Sequence, residues 1–373
     1  MRFPGKAKAR PMLRTIDRYL IFKYWSTFLF TVLIFSLIAV VIDFSSKVED
    51  FIEEAVTLRE IIWDYEIHFV LMINGLLLPL YALIAVIFFT ARLANISEII
   101  ALFNAGMSFR RLLYPYLLAA SLITGFHLWA NHYLIPLSNK TRLDFEHRYV
   151  WKHNDKGKTK DIHLFLQPGQ KVYIRQYLRR DSSARDFQLE RIVGNELREI
   201  LRARKADWQE ATGRWRLQDY EIHRFAGMEE SLVLGRGEYL DTLLRLRPED
   251  FTRYLNQKEM MITPELRAFV RSERNRGVAN TRIYEVEMQR RTAEPFTILI
   301  LTIIGLALAS RKVRGGMGLH LATGILLGGL FIFLSKFSTT FSTNDSLPPM
   351  LGVWIPNLVF AVVAGVLVRR AQC

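Results

Sequence analysis

The 373-residue chain is 50% hydrophobic, 12% aromatic and 23% charged, with a formal charge of +14 at pH 7. Its apolar residues cluster toward the two ends and its charges toward the middle, a segregation that excludes both a single water-soluble globule and a disordered chain. The lone cysteine, Cys373, excludes a disulfide framework and any Cys-x-x-Cys metal or redox site; the excess of cations predicts an anionic partner, and the apolar ends favour acidic lipid over nucleic acid.

A membrane helix needs about 20 mostly apolar residues. The first qualifying stretch, 19–42, follows Arg2, Lys6, Lys8, Arg10, Arg14 and Arg18. It is too long for the core of a signal peptide and lacks a small-x-small cleavage site, so it is expected to stay as an anchor. Just beyond it stand Asp43 and Lys47, spaced for an i,i+4 ion pair. The same lysine is also placed to meet a phosphate or sugar acid at the membrane edge.

The second stretch is 67–89 and the third 112–134. Between them lie Asn95, Ser97, Glu98, Ile99, Phe103, Gly106 and Ser108. Asn95 with Glu98 has the spacing of a capping box, Gly106 suits a left-handed helix stop, and Ser108 can cap the next helix. A short helix at about 96–105 is therefore predicted. Its Ile96, Ile99, Ile100 and Phe103 suit either the headgroup layer or a groove in a cytosolic partner.

The middle of the chain is a different material. A polar helix is predicted through Lys140, Arg142, Glu146 and Arg148. Alternation follows: Ile162, Leu164 and Leu166 lead to a Pro168-Gly169 turn, then Val172, Ile174 and Gln176. Trp208, a Thr212-Gly213 turn, Trp215, Leu217 and Ile222 form a second hairpin pattern. Short antiparallel strands in an open sandwich or roll are expected, and many of the cations belong on their solvated faces. From Pro264 to Arg274 the period becomes helical, with Leu266 and Val270 on one face.

Three further apolar stretches close the chain: 295–309, extended by Ala293 and its flanking turns, 319–334 and 350–368. Gly324 and Gly328 form a G-x-x-x-G pair for close helix contact within or between chains. Lys336 stands at the end of the fifth stretch, where a lysine either snorkels to the interface or meets an anion. Arg92, Arg110 and Arg111, then Arg311, Lys312 and Arg314, then Arg369 and Arg370 mark one side of the membrane; 47–66 and 343–349 are poor in cations. Both termini are thus expected in the cytoplasm and the polar middle across the membrane.

The sequence holds no P-loop, no H-E-x-x-H and no His/Cys cluster. His127 and His132 suit interfacial packing better than metal binding. No catalytic residue, metal ligand, cofactor or nucleic-acid motif is expected, and carboxylates at depth are nearly lacking from the apolar stretches.

Ile16-Asp17-Arg18-Tyr19, Ser97-Glu98, Asn104-Ala105-Gly106-Met107-Ser108, Gly213-Arg214-Trp215-Arg216-Leu217, Leu246-Arg247-Pro248-Glu249-Asp250-Phe251 and Arg290-Arg291 before Pro295 occur in that order. Together they resemble the LptF/LptG family of lipopolysaccharide export permeases, transmembrane subunits of an ABC transporter. The resemblance implies an α-helical membrane protein of six spans in a three-plus-three arrangement around an all-β, jellyroll-like periplasmic domain. Its parts would be a basic tail at 1–18, three spans with a coupling helix at 19–137, the β domain with a helical return at 138–286, and three spans at 287–373.

It further implies a pair of cytosolic LptB-like ATPases bound at the helix containing Glu98, with Ser97, Ile99, Phe103 and Gly106 shaping that contact. A second LptF/LptG-type subunit, LptC/LptA-like bridge proteins and lipopolysaccharide entering between spans one and five are the other implied partners. Lys47 and Arg142 match cationic places the family uses near the bound headgroup; Lys336 extends that set on chemical grounds. Two other classes compete: a membrane-anchored sensor or scaffold with a ligand-binding β domain, and a membrane enzyme acting on lipid-linked sugars.

Overall fold

The computed structural model describes residues 15–151, 160–178, 181–194, 196–227, 229–244, 246–248, 257–275, 281–313, 315–344 and 346–371. The basic tail through Arg14, the motif residues Glu249, Asp250 and Phe251, Arg314 and Cys373 lie outside the described residues. The chain divides into two compact units, one of Met1–Glu49, Thr57–Asn139 and Val286–Cys373, the other of Asp50–Val56 and Lys140–Glu285.

Among the described residues six helices are long and apolar enough to cross a membrane: Thr15–Glu53, Leu58–Asn95, Phe109–Tyr149, Arg282–Ala309, Gly316–Thr343 and Pro349–Ala371. They are called membrane helices one to six. Each extends past the apolar stretch that announced it, because helical hydrogen bonding continues wherever no breaker intervenes. The third runs through the predicted polar helix to Tyr149 without interruption. The second opens on a capping box, in which Thr57 Oγ1 accepts from Glu60 N at 3.3 Å and Glu60 Oε2 accepts from Thr57 N at 3.0 Å. Helices two and three each contain a π turn, Ile61–Glu66 and Ala130–Leu134.

Prolines inside these helices explain several polar contacts. A proline at position i has no N–H for the carbonyl at i−4, and in an apolar interior that carbonyl must find another donor. Pro79 frees the carbonyl of Gly75, which accepts from His127 Nε2 of helix three at 2.9 Å. Pro295 frees that of Arg291, which accepts from Asn131 Nδ2 at 3.4 Å. Pro356 frees that of Gly352, which accepts from Ser338 Oγ of helix five. Three side chains of neighbouring helices thus satisfy three carbonyls freed by proline.

Around these links the first unit packs an aromatic column: Tyr24 stacks on Phe89 at 5.9 Å and Phe89 on Tyr116 at 5.2 Å. The hydroxyl of Tyr24 meets Thr302 Oγ1 at 2.8 Å, so the buried phenol is satisfied. Gly324 and Gly328 pack within the chain. A Cβ on Gly324 would run into Ile87, and one on Gly328 would lie 2.5 Å from Leu80 Cδ1. Helix one is the least enclosed: 11% of its apolar window is buried, against 61% in helix four.

The second unit contains one six-stranded antiparallel sheet in sequential order: β1 Lys160–Gln167, β2 Gln170–Leu178, β3 Ser183–Val193, β4 Glu196–Gln209, β5 Arg214–Ala226 and β6 Glu229–Thr242. The predicted turns at Gly169 and Gly213 are present, both left-handed with φ of 79° and 63°, which glycine adopts without a steric penalty. Trp208 pairs with Trp215 across β4 and β5, and the buried Trp215 donates its indole N–H to the Leu246 carbonyl at 2.9 Å. Helix Thr263–Asn275 buries Leu266 and Val270, the stripe its period predicts.

Candidate functional site

The connection between membrane helices two and three is a built elbow. Its helix, Glu98–Asn104, is shorter than the predicted 96–105 and starts differently. Asn95 is the last residue of helix two, and Ser97 is the N-cap in a left-handed conformation, φ 65°, without a side-chain cap bond. The expected Asn95–Glu98 capping box therefore does not form: helix two carries on through Asn95 and uses up its backbone.

The other end follows expectation. Gly106 is left-handed at φ 83°, its N–H donates to the Phe103 carbonyl at 2.9 Å, and the Met107 N–H donates to the Leu102 carbonyl at 3.1 Å. These two bonds make a Schellman stop. Ser108 Oγ then accepts from Arg111 N at 3.3 Å and starts helix three.

The elbow presents a divided surface. Ile99 is fully buried, in one cluster with Leu20, Tyr24, Phe109 and Leu112, and Phe103 packs against that cluster. Glu98 and Ile96 face outward. The apolar stripe therefore mainly seats the elbow on its own unit, and Glu98 with Ile96 is what a partner would meet. Tyr19 Oη lies 3.5 Å from Glu98 Oε2, a long contact between helix one and the elbow. Arg111 Nη2 donates to Asp17 Oδ2 at 2.6 Å, and Asp17 is only 1% exposed.

At the other end of helix one, Lys47 Nζ lies 2.8 Å from Asp43 Oδ1, the i,i+4 pair read from the spacing. Tyr65 completes the group: its hydroxyl donates to Asp43 Oδ2 at 2.6 Å and contacts Lys47 Nζ. The ammonium also lies 4.7 Å from the Tyr65 ring centroid and 5.8 Å from that of Phe69. The Lys47 side chain is 16% exposed, so this cation is held against helix two. Beside it, Glu66 is buried in the π turn, and neither of its carboxylate oxygens has a hydrogen-bond partner among the described residues.

Arg142 belongs to the second unit and is 7% exposed, with Nη1 on Glu146 Oε1 at 2.8 Å. Lys336 lines a cavity of about 110 Å³ between helices two, four, five and six. Leu76, Leu80, Leu301, Phe331 and Val353 make its apolar walls, while Arg290, Glu294, Thr339 and Lys336 supply polar groups. Lys47 and Lys336 thus belong to one unit and Arg142 to the other.

The family profile described as lipopolysaccharide export system permease LptF/LptG matches residues 18–370. The chain belongs to the LptF/LptG family. Comparison with individual curated proteins gives no match. As an LptF/LptG permease with six apolar helices, it is a multi-pass protein of the inner membrane and a permease subunit of lipopolysaccharide export.

On this LptF/LptG chain the resembling segments fall on structurally demanding places. Ser97-Glu98 and Asn104 to Ser108 are the two ends of the elbow. Gly213 closes the β4–β5 turn, and Arg214 to Leu217, with Trp215, opens β5. Arg290-Arg291 before Pro295 belongs to a charged group on helix four, just ahead of its apolar stretch. In helix four Arg290 contacts Glu287 at 3.0 Å and Glu294 at 2.9 Å, and Arg291 contacts Glu287 at 3.0 Å. Glu287 and Arg291 are buried. Asp17, Glu66, Glu287 and Glu294 lie in the long helices, each just ahead of its apolar stretch. The i,i+3 and i,i+4 spacing of 287, 290, 291 and 294 was the available signal. Among the described residues no group of three or more His, Cys, Asp or Glu is arranged to hold a metal.

Proposed function

We propose that the chain is a non-catalytic transmembrane subunit of an ATP-driven exporter. It takes lipopolysaccharide from the outer leaflet of the inner membrane and passes it to a periplasmic bridge. A separate pair of cytosolic LptB-like ATPases does the hydrolysis, and a second LptF/LptG-type subunit completes the shell. Both termini face the cytoplasm and the β domain faces the periplasm, a placement supported by the cation asymmetry of the short loops.

The observation that carries this reading is the elbow. It is closed by a Schellman stop and the Ser108 cap, seated by Ile99, and left with Glu98 and Ile96 outward. Such a rigid protrusion between two membrane helices suits a groove in a cytosolic partner. Membership of the permease family supports the cargo. The weakly enclosed first helix, and an exposed face on helix five bearing Leu326, Leu330 and Phe333, support acyl chains entering beside them. Lys47, Arg142 and Lys336 are the proposed cations for the acidic headgroup. Each contact is worth about 1 kcal/mol or less where exposed, more where desolvated.

The test is Glu98→Ala, with Phe103→Ala as companion, in the complex purified with its ATPase and reconstituted into vesicles. Lipopolysaccharide release and coupled hydrolysis should fall while the subunits still co-purify. Normal export by both variants would overturn the coupling role and favour the sensor or scaffold reading, which needs no ATPase.

A further inference from the structure

Helix one is unlike the other five membrane helices: from Thr15 to Glu53 it contains neither proline nor glycine. Nothing in its sequence provides a kink, so it bends little and transmits a push along its length. Its two functional ends are both pinned. At one end Asp17, 1% exposed, receives Arg111 Nη2 at 2.6 Å. Arg111 is three residues beyond Ser108 and in the first turn of helix three, so it moves with the elbow. At the other end Asp43 and Lys47 are held by Tyr65 of helix two. Between the ends the face bearing Leu33, Leu37 and Val41 is exposed, while the opposite face is guided by helices two and four, with Ser36 Oγ donating to Asn74 Oδ1 at 3.0 Å and Tyr24 Oη 2.8 Å from Thr302 Oγ1.

We infer that Asp17 and Arg111 are the joint through which movement of the elbow reaches helix one. The helix carries that movement as a rigid rod to the Asp43–Tyr65 latch around Lys47. The inference rests on the proposal that an ATPase drives the elbow. The geometry gives useful leverage: Asp17 and Lys47 are about 45 Å apart along the rod, so a tilt of about 5° about one end displaces the other by about 4 Å. That exceeds the reach of the hydrogen bonds in the latch. A charged joint suits the task because pulling opposite charges apart beside the buried Asp17 is costly, so the two groups stay together when either is displaced. Asp17 and Arg111 are positioning residues; they act through helix one and need not touch the cargo.

The decisive variant is Asp17→Asn with Arg111→Gln, which removes both charges of the pair; Arg111→Lys keeps the pair and serves as control. Each is made in a Cys373→Ser background with Ser46→Cys, an exposed probe next to Lys47. The whole complex is reconstituted, and labelling of the probe is compared with and without ATP and vanadate. In the unaltered pair, labelling should change with nucleotide. In the neutral pair that change should vanish, and export per ATP hydrolysed should fall about fivefold or more while hydrolysis continues. Arg111→Lys should retain both responses. If the neutral pair keeps a nucleotide-dependent label and normal export per ATP, the joint is refuted while the exporter reading stands. If the unaltered complex shows no nucleotide response at Ser46→Cys, the rod is refuted. If it also binds no ATPase, the exporter reading falls with it.

Discussion

The most exposing prediction concerns His127 and Pro79. The Gly75 carbonyl loses its helical donor to Pro79 and gains His127 Nε2 at 2.9 Å in a fully buried site. His127→Leu keeps roughly the volume and leaves that carbonyl without a donor in an apolar interior. Stranding a buried backbone acceptor costs about 1–3 kcal/mol, though hydrogen-bond couplings in membrane bundles average about 0.6 and reach about 1.7. About 1 kcal/mol is therefore expected, or roughly fivefold in the unfolding equilibrium. Pro79→Ala restores an N–H at position 79, which can take over the carbonyl. In that background His127→Leu should cost little, so the coupling in a double-mutant cycle should recover most of the 1 kcal/mol. The assay is reversible unfolding of the four proteins in mixed micelles, followed by circular dichroism and by tryptophan emission. Equal costs for His127→Leu in both backgrounds would refute the argument that His127 is there to serve the carbonyl freed by Pro79.

Two further outcomes follow from the same structure. Gly324→Ile places a branched side chain against Ile87. It should destabilise the bundle by about 1–3 kcal/mol through overpacking, read as a lower unfolding midpoint, whereas Gly365→Ala, which meets nothing within 4 Å, should not. Lys47→Glu should break the Asp43–Tyr65 group and weaken photocrosslinking of lipopolysaccharide to helix one; undiminished crosslinking would remove Lys47 from the proposed site.

Much of the architecture is local and therefore readable along the chain. A membrane helix is announced by the summed hydropathy of its own residues, a hairpin by alternation around Gly169 or Gly213, and the elbow's exit by Gly106 and Ser108. Each depends on neighbours within a few positions. Even the Asp43–Lys47 pair is a matter of one helical turn. Where a boundary was misjudged, as at Asn95, the competition was between two local options: capping a new helix or extending the old one. Extension prevailed, and helix two runs through Asn95.

The side chains' employments are a different matter. Whether Ile99 seats the elbow or greets a partner depends on Leu20 and Tyr24, nearly eighty residues earlier in the chain, and packing turned it inward. Asp17 and Arg111 are 94 positions apart, and Arg291's carbonyl and Asn131 are 160 apart. No period or motif announces such meetings, because they arise only when helices choose neighbours and rotations. The charges of helix four show the same division. Their spacing was plain in the chain, but their burial, and hence the obligation to pair with one another, came from the helices that surround them. Sequence alone thus settled the number of spans, the β insertion and the position of the elbow, since these sum short-range preferences. The three-dimensional packing decided which polar groups are held, which are offered outward and which ends of the first helix are tied, since those are properties of contacts between distant segments.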